Sequence, residues 1–104
     1  MITGAYVLDY PGLGLYGELY DQDYNQVPLA PSEEVVVLDD EVSVMVPVGI
    51  SVDQEEPDVR EVARFPLLGE YLFDDRSQMN AWLAARRAGQ VVDSLERKKV
   101  VPGP

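Results

Sequence analysis

Val35-Val36-Val37-Leu38-Asp39-Asp40-Glu41-Val42-Ser43-Val44-Met45-Val46-Pro47-Val48 is two apolar runs separated by three acids. β-Branched residues are stiff at χ1 and pack well on a pleated surface, so both runs read as strands. In the second run Val42, Val44, Val46 and Val48 share one side, with Ser43, Met45 and Pro47 on the other. That alternation marks a half-buried strand. Asp39-Asp40-Glu41 is expected as the hairpin turn, and Gly49 as a bulge or bend before Ile50 and Val52 resume the pattern.

Towards the N-terminus the same logic holds. Ala5 to Tyr10 reads as a short strand stopped by Pro11-Gly12, and Leu15 to Tyr20 as an extended segment. Asp21-Gln22-Asp23-Tyr24-Asn25 is a turn cluster, since Asp and Asn bond their own backbones and tolerate left-handed φ. Pro28 and Pro31 restrict the following segment to an edge or a loop. The run from Leu19 to Leu29, about eleven residues, resembles the strand-turn-strand corners of immunoglobulin-like and related β-sandwich modules.

Towards the C-terminus, residues 53–58 form an acidic loop, and Val59 to Phe65 fits a strand or a short helix ended by Pro66. A helix is expected over about 76–88. Asp75 is its N-cap, with Gln78 at capping-box spacing, and Met79, Trp82 and Leu83 form its apolar face. Arg86 and Arg87 complement the dipole in the last turn. Gly89 is a plausible C′ residue, the alternative being one helix running through it to about Lys98. The expected fold class is α+β in one small domain. A small antiparallel, sandwich- or barrel-like β part fills about 1–65, one C-terminal helix packs on it through Trp82, and a basic segment covers 97–104.

Charge is unevenly placed. Thirteen acids and no cation precede Arg60, leaving eight cations against six acids in the remainder, so −13 and +2 sum to −11. This argues against direct nucleic-acid binding, which needs cations to neutralise phosphates. No apolar stretch approaches a membrane span of about 20 residues, and Met1 to Ala5 lacks the basic start of a secretory signal. A cytoplasmic setting is the expectation. With no His and no Cys, the usual zinc sites and the Ser-His-Asp and Cys-His mechanisms are excluded. No enzyme and no cofactor is expected.

Three patterns invite a chemical reading. Gly12-Leu13-Gly14-Leu15-Tyr16-Gly17 matches a dinucleotide fingerprint, but that site needs a helix opening at its third Gly, and a strand and turn follow instead. Asp21, Asp23 and Asn25 begin like a calcium loop, yet Gln26 and Ser32 stand where Gly and Glu belong. Five of the six tyrosines fall in residues 6–24, interleaved with acids. Tyrosine supplies rigid amphipathic contact area, and acids beside it select a basic partner. The expected partner-binding set is therefore Tyr16, Glu18, Tyr20, Asp21, Asp23, Tyr24, Asp39, Asp40 and Glu41.

The expected partner is a basic protein surface, including that of a nucleic-acid-binding protein. The function this implies is a non-catalytic acidic inhibitor or adaptor, acting as a nucleic-acid mimic where the occupied groove normally holds DNA or RNA. In size and charge the chain resembles small acidic phage proteins that block restriction or CRISPR machinery, and toxin-immunity proteins. The alternative is a structural subunit, such as a minor virion component, whose acidic front and basic back assemble homo-oligomers.

Overall fold

Residues 1–13, 17–50 and 57–90 are described by the structure, a computed structural model. Five strands run β1 (Ala5–Asp9), β2 (Glu18–Asp21), β3 (Glu34–Leu38), β4 (Glu41–Ile50) and β5 (Pro57–Leu72), followed by helix α1 (Arg76–Arg87). They form one sheet in the order β2-β1-β5-β4-β3. The fold is α+β, as expected, but the sheet is mixed: β1 and β5 are parallel and every other pair is antiparallel.

β5 organises the sheet because it changes partner partway along. Residues 57–66 pair with β4 and residues 67–72 with β1. The hand-over falls at Leu67, whose N–H donates to Asp40 O at 2.8 Å and which is the first partner of Ala5. Pro66 was expected to end this strand and instead lies inside it. Successive N–H groups of a strand point to opposite edges. Leu67 points to the β4 side, so Pro66 faces the β1 side one residue before that ladder begins, and no ladder bond is lost. Asp58, expected in an acidic loop, belongs to β5, and the choice between strand and helix at Val59 to Phe65 resolves to strand. Residues 51–56 of that expected loop lie outside the described residues.

The valine alternation of β4 holds only in part. Val42 is 0% exposed and Val44 2%, but Val48 is 54% exposed. A register shift at Pro47/Gly49 leaves Val48 as an extra residue, beside the expected Gly49 bend. β3 contacts β4 only as far as Met45, so among the described residues no third strand flanks the ones that follow. Asp39-Asp40 alone makes the β3–β4 turn; Glu41 already pairs with Leu38.

The core has two layers. On one face Ala5, Val7, Leu19, Val35, Val42 and Val44 are covered partly by Val27 and Leu29. Those two lie between β2 and β3, which occupy opposite edges of the sheet, so this connection has to cross the sheet face. Pro28 and Pro31 suit a crossing segment that needs no ladder bonds. On the other face Leu8, Tyr20, Tyr71 and Phe73 pack against Met79, Trp82 and Leu83 of α1.

Local chemistry sets both ends of α1. Asp75 Oδ1 accepts from Gln78 N–H at 2.9 Å, while Gln78 Oε1 accepts from Asp74 N–H at 3.2 Å, one residue before the usual capping-box partner. At the other end Gln90 N–H reaches Ala85 O and Gly89 N–H reaches Arg86 O, the paired bonds of a Schellman motif. Gly89 has φ 74°, so the helix does not run through it. No helix among the described residues is long and apolar enough to cross a membrane.

Trp82 is 0% exposed and has Tyr71 and Phe73 ring centroids at 5.1 and 5.7 Å. Trp82→Ala is expected to cost about 3–5 kcal/mol and Gly89→Ala about 1 kcal/mol, both read from the urea midpoint. A Trp82→Ala loss below that of Gly89→Ala would show that α1 is not held by this contact.

Candidate functional site

The Asp21–Asn25 turn is built by its own first side chain. Asp21 Oδ1 accepts from the N–H groups of Asp23 and Asn25 at 2.8 and 3.0 Å, and Tyr24 N–H donates to Asp21 O at 3.0 Å. Tyr24 takes φ 64° to close it. The oxygen that a calcium reading would assign to a cation is thus bound to backbone. Among the described residues no three acidic side chains converge into a metal cluster. Gln22 ties this turn to the N-terminus, accepting from Thr3 N–H and donating to Met1 O.

The tyrosines serve packing rather than display. Tyr20 is 5% exposed and belongs to the core, which corrects its expected place in a contact surface. Tyr6 and Tyr24 stack at 5.2 Å, and Trp82 sits edge-on to both at 5.7 and 5.6 Å. Tyr16 lies outside the described residues, with the two residues before it in the glycine-rich segment. Gly17 has φ 73°, and β2 begins directly after it, so no helix opens there.

Helix cations complete this layer. Arg87 donates to Tyr24 O at 3.1 and 2.6 Å through Nε and Nη2, Arg76 donates to Tyr10 Oη at 2.9 Å, and the Arg86 guanidinium lies 5.2 Å from the Trp82 ring. Glu18 is engaged as well, accepting from Tyr20 Oη at 3.2 Å and Gln26 Nε2 at 3.3 Å. Burial, then the bond to Tyr24, pushes the Tyr6 phenol up to about 12; burial, then Glu18, does the same for Tyr20.

The second acidic group stands at the β3–β4 turn. Asp39, with φ 48°, and Asp40 are exposed, and their carboxylates hold no partner among the described residues. Glu41 differs: Arg64 bridges it at 3.3 Å and Glu61 at 2.7 Å, while buried Ser43 donates to Glu61 at 2.6 Å. The Arg64 and Ser43 hydrogen bonds hold the Glu61 carboxyl below the usual range. Sequence reading missed this network; its signal was the lone hydroxyl residue in a valine strand.

Register brings Asp21 and Asp40, at the bases of the two turns, onto one transverse row, since Asp21 pairs with Ala5, Ala5 with Leu67, and Leu67 N–H bonds Asp40 O, and the turns leave that row in opposite directions. The Asp21 and Asp40 backbones are separated by about three strand spacings, about 14 Å. Of the expected contact set, Asp23, Asp39 and Asp40 are the exposed acids with the least structural duty, while Glu18, Asp21 and Glu41 hold the fold. Comparison with protein-family models, with curated proteins and with solved structures returns no match to this chain.

Tyr6 and Tyr20 ionise at about 12 in the fold against an ordinary 10.0. Their raised values add stability that is complete below pH 10.0 and lost as pH rises through about 12. The part of the tyrosinate absorbance that Tyr6→Phe and Tyr20→Phe remove should therefore appear in that window, together with the change in far-ultraviolet circular dichroism. Appearance of that part near 10.0 with the fold intact would contradict the burial of these two side chains. At the acid end, the lowered Glu61 value adds stability present above 4.5 and lost as pH falls below it.

Proposed function

We propose that the chain is a non-catalytic binding protein, an acidic inhibitor or adaptor that occupies a basic surface of a partner protein. The observation that carries this reading is that Asp23, Asp39 and Asp40 stand exposed on two turns whose bases, Asp21 and Asp40, share one row of the sheet, in a chain of net charge −11. Exposed carboxylates with little work in the fold can meet cations, and a field of one sign speeds encounter with an oppositely charged surface. Where the partner's groove normally holds nucleic acid, the protein acts as a mimic of it. This reading sets the protein in the cytoplasm, that of a host cell if it is phage-encoded. A structural role, such as a minor virion component, is the second reading; exposed Val48 and Val59 on the β4–β5 ribbon favour it.

The test is retention of a partner from lysate on the immobilised protein across a salt gradient. Asp39→Asn/Asp40→Lys, which keeps a residue suited to the left-handed φ at 39, and Asp23→Lys are expected to reduce retention about tenfold at low salt, with Asp58→Lys as the unaffected control. Reversal at Glu18 or Asp21 is a poor test, because each would disturb packing or the turn itself. Retention insensitive to salt and to both reversals would overturn the proposal.

A further inference from the structure

Among the described residues, the central strand of this sheet is paired on one side only over part of its length. β5 meets β4 along residues 57–66, but β1 joins its other side only from Leu67, so among the described residues no strand pairs with that edge over 57–66. The distal part of the β4–β5 ribbon also extends past β3, whose last partner is Met45. This ribbon carries Val48 at 54%, Val59 at 58% and Val62 at 43% exposure, among the most exposed apolar side chains described apart from Met1. An unpaired edge beside exposed valines is a template for another strand.

The charge pattern identifies that strand. Asp58 and Arg60 flank Val59 with opposite charges, both are exposed, and neither takes part in a salt bridge within the described residues. An antiparallel pairing with a second copy, centred on Val59, sets Asp58 against Arg60 of the copy and Arg60 against its Asp58. Val59 then meets its own equivalent. Val59 is the cross-strand partner of exposed Pro47, so the joined sheet has an apolar row Pro47–Val59–Val59–Pro47. An opposite-charge row lies on each side of it. Centring on Arg60 or Glu61 would instead oppose identical charges. The Val59 register also stops short of the irregularity at Val62, where the β4–β5 pairing skips a residue.

We propose that the chain forms a two-fold symmetric homodimer by antiparallel addition of the β5 edge, residues 57–61, to the same edge of a second copy. The contact is isologous, so it closes at two subunits and builds no filament. Its surface differs from the acidic turns, and either can exist without the other. Each copy carries −11, so long-range repulsion opposes the dimer, and moderate salt strengthens it by screening that repulsion. The sign separates this contact from an acidic front docking on a basic back, which salt dissolves.

Light scattering on the full chain across a concentration series tests it, at low salt and at about 0.15 M. The expected result is a monomer–dimer equilibrium shifted towards dimer by salt. Val59→Lys should abolish it. Asp58→Arg alone and Arg60→Asp alone each place like charges opposite one another and should weaken association about tenfold or more. Asp58→Arg/Arg60→Asp should restore it. Circular dichroism matching wild type confirms that these exposed substitutions keep the fold. A chain that stays monomeric at millimolar concentration, a dimer that salt dissolves, or a double reversal that fails to rescue the singles would each overturn the proposal.

Discussion

The change of partner along β5 is the constraint from which the rest follows. A strand that gives residues 57–66 to β4 and residues 67–72 to β1 fixes where both hairpins sit. It sets β1 parallel to β5 and sends the β2–β3 connection across one face, where Val27 and Leu29 join the core. Proline placement obeys the same geometry. Pro66 sits at the hand-over, Pro47 lies beyond the reach of β3, and Pro57 opens the strand, so none removes a bond from a ladder between neighbours.

Trp82 performs the matching task on the opposite face. It gathers Tyr6, Tyr24, Tyr71 and Phe73 in edge-on and tilted contacts that bury large rings without forcing them flat against one another. Around it, Arg76 and Arg87 satisfy the Tyr10 hydroxyl and the Tyr24 carbonyl. The cations of the helix thus serve the tyrosine-rich N-terminal part inside one chain. The acids left exposed are concentrated at turns instead.

Much of the architecture was legible from residue order. The start of α1 followed from Asp75 and the Met79-Trp82-Leu83 spacing, because caps and amphipathic periodicity act over a few residues, whereas its stop at Gly89, open in the sequence against a longer helix, was settled by the left-handed φ there. The β3–β4 hairpin followed from its valines for the same reason. The contact set was less legible. Asp23 and Asp39 look alike in sequence to Asp21 and Glu41, yet the latter are bound into a turn and an ion pair. Tyr20 and Tyr24 both join the layer that α1 covers, Tyr20 buried and Tyr24 half-buried, because the helix packs over both.

Residue order by itself determined that β1 to β4 are extended segments, where the helix begins, and which chemistries a chain lacking His and Cys cannot perform. These are local matters of sterics, capping and functional-group inventory. Tertiary structure alone decided that β1 and β5 run parallel, that Pro66 lies within a strand, and which acids remain exposed. Strand pairing joins residues far apart in sequence, and a side chain's surroundings are fixed only once its neighbours on other elements are in place. The open edge of β5 is of this second kind: nothing in Asp58-Val59-Arg60 signals it until β1 is seen to begin its pairing at Leu67.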